Sequence, residues 1–286
     1  MIQSAPQHTR ARTVVANADT GGSARGASAP YVSAWTRDLW TPETRHQVPT
    51  AGTPPLSRED LITVQQLFSR IHVPWRLFLA HSLFQQITIP EVAVAVSLSK
   101  RYATNPKERM EATRTFLKTI ILDGPDSPTG EAAIKRVNEV HQEMGIDPLR
   151  PAFSFVLYTL SRGLTESLAN NSSIDPTFEE ELALFRFMRR VGEKMGALNI
   201  PSNYGEFLES SERFKRECWD SSSSEPRKVA QSLLDNAFLR IPSALRPLVR
   251  GLVLSLVEPE TLKQLGIKPP SALTRTIARL AIHHLG

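Results

Sequence analysis

The sequence predicts an all-α protein: a single multi-helix domain, residues 56–286, preceded by a disordered N-terminal arm, residues 1–55. Three observations carry that prediction. Apolar residues recur at three- and four-residue spacing through almost the whole domain, the breaks fall at Pro, Gly and Asn clusters, and no pair of strand-like segments is evident. With 286 residues, 41% of them hydrophobic, the chain can bury a sizeable core.

Residues 1–55 are dominated by Ser, Thr, Ala, Gly, Pro and Gln, with no sustained period that could offset the entropy of ordering. Within residues 1–30, Arg10, Arg12 and Arg25 against the single acid Asp19 suggest a transit peptide, but an unstructured arm is the better reading. Tyr31, Trp35 and Trp40 are its exceptions and could pin its second half to the domain.

Ser57 followed by Glu59 and Asp60 reads as a helix start, and Leu61, Val64, Leu67, Phe68 and Ile71 extend the helix over 57–72. Pro74 restarts the chain, with Trp75, Phe78, Leu79 and Leu83 as a second stripe. In the run 87–96, Val92, Val94 and Val96 alternate in a strand-like way, yet Pro90-Glu91 resembles a helix start and no partner strand exists, so it reads as helix. Met110, Thr113, Phe116, Leu117 and Ile120 mark the next helix, stopped at Asp123-Gly124-Pro125.

Ile134, Val137, His141 and Met144 fall on one face of a helix over 130–144, which turns His141 inward. One helix is predicted over 151–168, from Phe153, Leu157, Leu160, Leu164 and Leu168. The segment 176–195 opens with Glu179-Glu180-Glu181 and ends in Arg189-Arg190 and Lys194, charges that complement the helix dipole, and Glu179 and Glu180 read as a solvated first turn rather than as acid/base catalysts. Further helices are predicted over 202–219, 226–239, 245–257 and 271–285, with no internal repeat.

Composition excludes several classes. Thirty-four Lys and Arg against 29 Asp and Glu give a net charge of +5, spread along the chain and partly in the arm, so no nucleic-acid partner is expected. The single cysteine, Cys218, cannot form an intramolecular disulfide and reads as a spare thiol. No apolar stretch reaches eighteen residues, and residues 1–12 lack an apolar secretion core; a cytoplasmic or peripherally membrane-associated protein is expected. Residues 245–257 could touch a membrane surface, although burial in the core explains them with fewer assumptions. There is no dinucleotide-binding Gly-x-Gly-x-x-Gly, no phosphate-binding Gly-Lys-Ser/Thr loop and no Gly-x-Ser-x-Gly elbow.

Of the seven histidines, His141 alone sits mid-chain on a well-defined apolar face, and no pair has metal-ligand spacing. Its neighbours form an ordered set: Asn105-Pro106-x-x-Arg109, then Arg114-Thr115, then Arg136-Val137-Asn138-x-Val140-His141. This set resembles the family that groups latex-clearing protein, a bacterial rubber oxygenase, with the endoplasmic-reticulum-bound oxygenase of fungal mycophenolic acid biosynthesis. The resemblance extends from about Leu77 to the C-terminus, through Arg189-Arg190-Val191-Gly192, Tyr204-x-Glu206-Phe207, Leu245-Arg246-Pro247-Leu248 and Leu265-Gly266-Ile267.

The resemblance implies a helical fold of the globin-related haem-binding type, haem b as cofactor, and dioxygen-dependent oxidation of an apolar alkene such as an isoprenoid or polyketide-derived molecule. By position, His141 would be the iron ligand, Arg114 and Thr115 would act in the haem pocket, and Arg114 and Arg136 would contact the cofactor. Two departures bear on activity: Glu111 stands where an Arg is common, and Phe155-Val156-Leu157 replaces a Trp-x-His element. Arg101, Lys107 and Arg109 are cations that could substitute, and Lys107 or Lys118 could cap the iron. The alternative is a helical haem-binding or interaction protein that keeps the fold without redox chemistry.

Overall fold

Ser57 caps the first helix as its sequence predicts: α1 (Arg58–Ser69) begins where the Ser57 hydroxyl accepts the Asp60 N–H at 3.0 Å. That satisfies one of the amides a helix start leaves unpaired. The computed structural model describes residues 55–71, 75–98, 106–148, 150–197, 200–219, 224–237 and 242–285. All of them fall in one compact unit, Ser33–Gly286. Apart from Pro55, the arm assigned to residues 1–55 lies outside the described residues, with Tyr31, Trp35 and Trp40. Among the described residues there is helix and no strand.

α2 (Trp75–Gln86) and α3 (Pro90–Leu98) follow. The alternating valines are therefore helical, because Pro90 supplies a first-turn φ and Ala93 packs into the core while Val94 faces water. α4 (Pro106–Asp123) and α5 (Pro128–Glu143) form a helical hairpin.

The helix expected over 151–168 is two: α6 (Pro151–Leu160) and α7 (Arg162–Asn171), broken at Ser161, whose backbone sits at φ −112°, ψ −85°. The break follows from tertiary partners. Arg162 is buried against Glu166 and Glu181, and Gly163 lets the Gln85 side chain lie against the backbone where a Cβ would collide with it. α8 (Phe178–Lys194), α9 (Tyr204–Trp219), α10 (Glu225–Ala237), α11 (Arg246–Ser255), a short unpredicted α12 (Pro259–Gln264) and α13 (Ala272–Leu285) complete the chain.

α8 is the central strut. A capping box starts it: Thr177 Oγ1 accepts the Glu180 N–H at 3.3 Å, and Glu180 Oε2 accepts the Thr177 N–H at 2.9 Å. Leu184, Phe187, Met188 and Val191 pack with Val64 and Leu67 of α1 and Leu117 and Ile120 of α4. Phe185, on its other side, joins Phe155 and Tyr158 of α6 and Tyr204 and Phe207 of α9. A third core holds Phe84, Val229, Leu234, Leu254 and Leu262.

Gly192 marks the crossing of α8 and α6: a Cβ there would run into Leu157 Cδ1 and Ile200 Cδ1. Alanine gains about 1 kcal/mol in helix propensity, against overpacking that costs about 1–3 kcal/mol in a close-packed core. Gly192→Ala is therefore expected to lower the urea midpoint; an unchanged or raised midpoint would show that the crossing has slack.

Candidate functional site

The site is built on the α4–α5 hairpin, and the turn fixes where its residues lie. Gly124 has φ +86°, a conformation that favours glycine, and Gly130 passes so close to the Gly124 carbonyl that a Cβ would clash with it. Ser127 then caps α5 by accepting the Gly130 N–H at 2.9 Å, with Pro128 in its first turn.

Asp126 in this turn is the anchor. It accepts from Arg190 at 2.7 and 2.9 Å, from the Leu56 N–H at 3.0 Å, and pairs with Lys194 at 3.1 Å. Burial alone would raise its pKa, but these donors outweigh it and hold the carboxylate below its ordinary value. At the other end, Asn138 Nδ2 donates to the Lys194 carbonyl at 3.2 Å, tying α5 to the C-terminus of α8 and setting its rotation. Asn138 is thus the motif residue that positions the His141 face.

His141 lies in the last turn of α5, partly buried, with the Phe153 ring of α6 edge-on at 6.1 Å between centroids and 87° between planes. Neither ring nitrogen is hydrogen-bonded to a described residue. Burial, reinforced by the Arg109 guanidinium, lowers its pKa to about 4. The imidazole is therefore neutral at physiological pH and its lone pair is available, which is what a metal ligand requires. Below the backbone, Ile146 N–H closes the helix end on the His141 carbonyl at 2.9 Å, with Gly145 at φ +67°.

The other site residues are placed differently. Arg114 is half-exposed and grips Glu111: its Nε donates to both carboxylate oxygens at 3.0 Å and its Nη2 to Oε1. Thr115 and Arg136 are exposed, as is Lys118. Arg114 and Thr115 stand about 7–9 Å farther along the axis of α4 than Arg109, the residue whose charge acts on His141. Arg101 lies outside the described residues, as does the side chain of Lys107. At the second departure, Phe155 and Leu157 are core residues, with Leu157 filling the Gly192 crossing. Among the described residues no group of three or more His, Cys, Asp or Glu could hold a metal ion together.

A second polar cluster is invisible in the sequence pattern. Arg162, almost wholly buried, donates from Nε to Glu166 at 3.0 Å and from Nη1 to Glu181; the Tyr204 hydroxyl donates to Glu181 at 3.2 Å and that of Tyr158 to Glu212. Glu181, beside Glu179 and Glu180 in the first turn of α8, is thus an internal ion-pair partner. Lys215 pairs with Glu258 at 3.7 Å. His81 Nδ1 lies 2.8 Å from the Leu256 carbonyl, and burial lowers its pKa against the pull of Glu258. Glu166, Glu181, Glu212 and Glu258 outnumber Arg162 and Lys215. Burial, with the nearby Glu258 and Glu212, raises Glu166 to about 7 despite Arg162. The one sequence signal was Arg162 and Glu166 at i, i+4 inside an otherwise apolar run.

The chain was compared with known protein families. The catalytic domain of the group described as ER-bound oxygenase mpaB/B'/Rubber oxygenase matches residues 69–285. The chain belongs to that family. The matched span runs from the end of α1 to the end of α13 and takes in the whole α4–α5 hairpin with His141, Arg114, Thr115 and Arg136. What these helices carry is therefore an oxygenase catalytic domain. No curated protein matches the chain. Among the described residues no helix is long and apolar enough to cross a membrane.

Proposed function

We propose that the domain is a haem b-dependent oxygenase that uses dioxygen to oxidise a hydrophobic alkene of isoprenoid or polyketide-derived type. The observation that carries the reading is His141: a neutral, partly buried imidazole edge-on to Phe153, with no hydrogen bond to a described residue, in an oxygenase catalytic domain. Its donor chemistry fits haem iron. Haem bound there supplies the dioxygen binding and electron transfer that no side chain of this site can provide.

The chain's own residues would do the rest. His141 holds the iron, and Asn138 keeps the ring in place through α8. Phe153 shields one edge of the imidazole from water. Arg114 and Arg136 offer guanidinium groups for the anionic edge of the cofactor, Arg114 by exchanging its Glu111 partner, and the Thr115 hydroxyl offers an orienting hydrogen bond.

A second reading, a haem-binding protein without oxygenase chemistry, is favoured by one feature: Glu111 already occupies Arg114. Purified full-length protein, reconstituted with haem, separates the two. Under the first reading it shows a haem absorption band and consumes dioxygen when given an isoprenoid alkene, with an oxidised product. A band without dioxygen uptake across apolar alkenes supports the second, and no band at all sinks both.

A further inference from the structure

Among the described residues, the large apolar side chains that face water concentrate on two packed helices. Leu245 and Leu248 at the start of α11, and Leu273, Ile277 and Leu280 on α13, are each at least half exposed. On α13 they fall at i, i+4 and i+7, a single stripe. That stripe is not the packing face: α13 meets α11 where Thr274 Cγ2 would lie 2.9 Å from a Cβ on Gly251, and Ala278, one turn on, is buried. Both helices thus leave a row of aliphatic side chains in water after their core contacts are satisfied. Rows of exposed aliphatic side chains that core packing does not use mark an interaction site when they form a patch.

Charge selects the partner. Residues 242–286 carry six Lys or Arg against two acids, net +4. Of the two acids, Glu258 is turned to Lys215. Arg246, Lys263 and Lys268 are exposed. A second copy of this segment would bring like net charge together. An anionic bilayer neutralises the charge and takes up the leucines, the combination that holds amphipathic helices at a lipid interface.

We propose that the α11–α13 face docks on the surface of a membrane containing anionic phospholipid, α13 lying along it with Leu273, Ile277 and Leu280 in the headgroup region. The inference stands apart from the haem site and does not depend on it.

The test is co-sedimentation of the full chain with phosphatidylcholine vesicles, with and without phosphatidylserine, at low and high salt. Wild type is expected to pellet with the anionic vesicles and to be released by salt. Leu273→Glu with Ile277→Glu should weaken that binding by about tenfold or more, whereas Leu122→Glu, an equally exposed apolar site on α4, should leave it unchanged. Lys263→Ser with Lys268→Ser should weaken only the anionic-vesicle binding, and it serves as the deciding variant if the double glutamate protein does not fold. Equal binding by wild type and the variants overturns the proposal. So does a wild-type dimer in light scattering that the glutamates split without changing vesicle binding.

Discussion

Replacing His141 with alanine is expected to abolish the haem absorption band and, with it, dioxygen consumption. On the proposed reading His141 supplies the protein's donor to the iron, so its loss should remove the bond that holds the cofactor. Even outer-shell changes at metal sites weaken metal binding about 10–100-fold, and loss of the ligand should exceed that. Added imidazole should restore part of the band in His141→Ala, because it can enter the space beside Phe153 that the ring vacates. Asn138→Ala should act indirectly: by releasing the bond to the Lys194 carbonyl it lets α5 rotate, weakening haem retention while the band, once formed, keeps its position. Circular dichroism of the two apoproteins controls for folding. A His141→Ala protein that retains the wild-type band would place the iron elsewhere.

The same site sets a pH window. An exposed histidine titrates near 6.5, but His141 stays neutral to about pH 4 because it is buried and faces Arg109. Haem retention should therefore be flat from pH 8 to about 5 and fall only as the ring protonates. The apoprotein follows the sign for a depressed histidine: its contribution to stability is full above about 6.5 and is lost as pH falls through about 4, since the unfolded chain takes up the proton first.

How much of this was legible depends on sequence distance. Ser57, Pro90 and the Gly124 turn act on neighbours three or four residues away, so α1, α3 and the α4–α5 hairpin could be read directly, including the inward face that carries His141. The break at Ser161 could not, because it depends on Arg162 reaching Glu181 of the next helix and on Gln85 lying against Gly163 from α2. Glu181 escaped the sequence reading for the same reason: it shares an acidic first turn with Glu179 and Glu180, and only the fold brings it to a buried guanidinium. The departures were visible as letters, but their consequences were not. Glu111 turns out to hold Arg114, and Leu157 to fill the space over Gly192.

That buried cluster makes the larger stability prediction. Arg162 is the only cation in contact with both Glu166 and Glu181 among the described residues, and its side chain is 4% exposed. Arg162→Leu removes no carboxylate, so two buried acids lose their counterion; breaking such a pair from one side costs about 3–5 kcal/mol. The cost should grow with pH. Glu166 already holds its proton to about pH 7 rather than the ordinary 4.5, so in the native protein its share of stability is present below about 4.5 and lost as pH rises through 7. A shift of that size corresponds to about 3 kcal/mol over the window. Without Arg162 both acids would hold their protons to still higher pH, and urea midpoints measured at pH 5, 6.5 and 8 should fall more steeply for Arg162→Leu than for wild type. Glu166→Gln, which mimics the protonated acid and leaves Arg162 to Glu181, should instead flatten the wild-type decline. Parallel pH profiles for the three proteins would mean that water reaches these carboxylates and that the excess of negative charge in the interior is already screened.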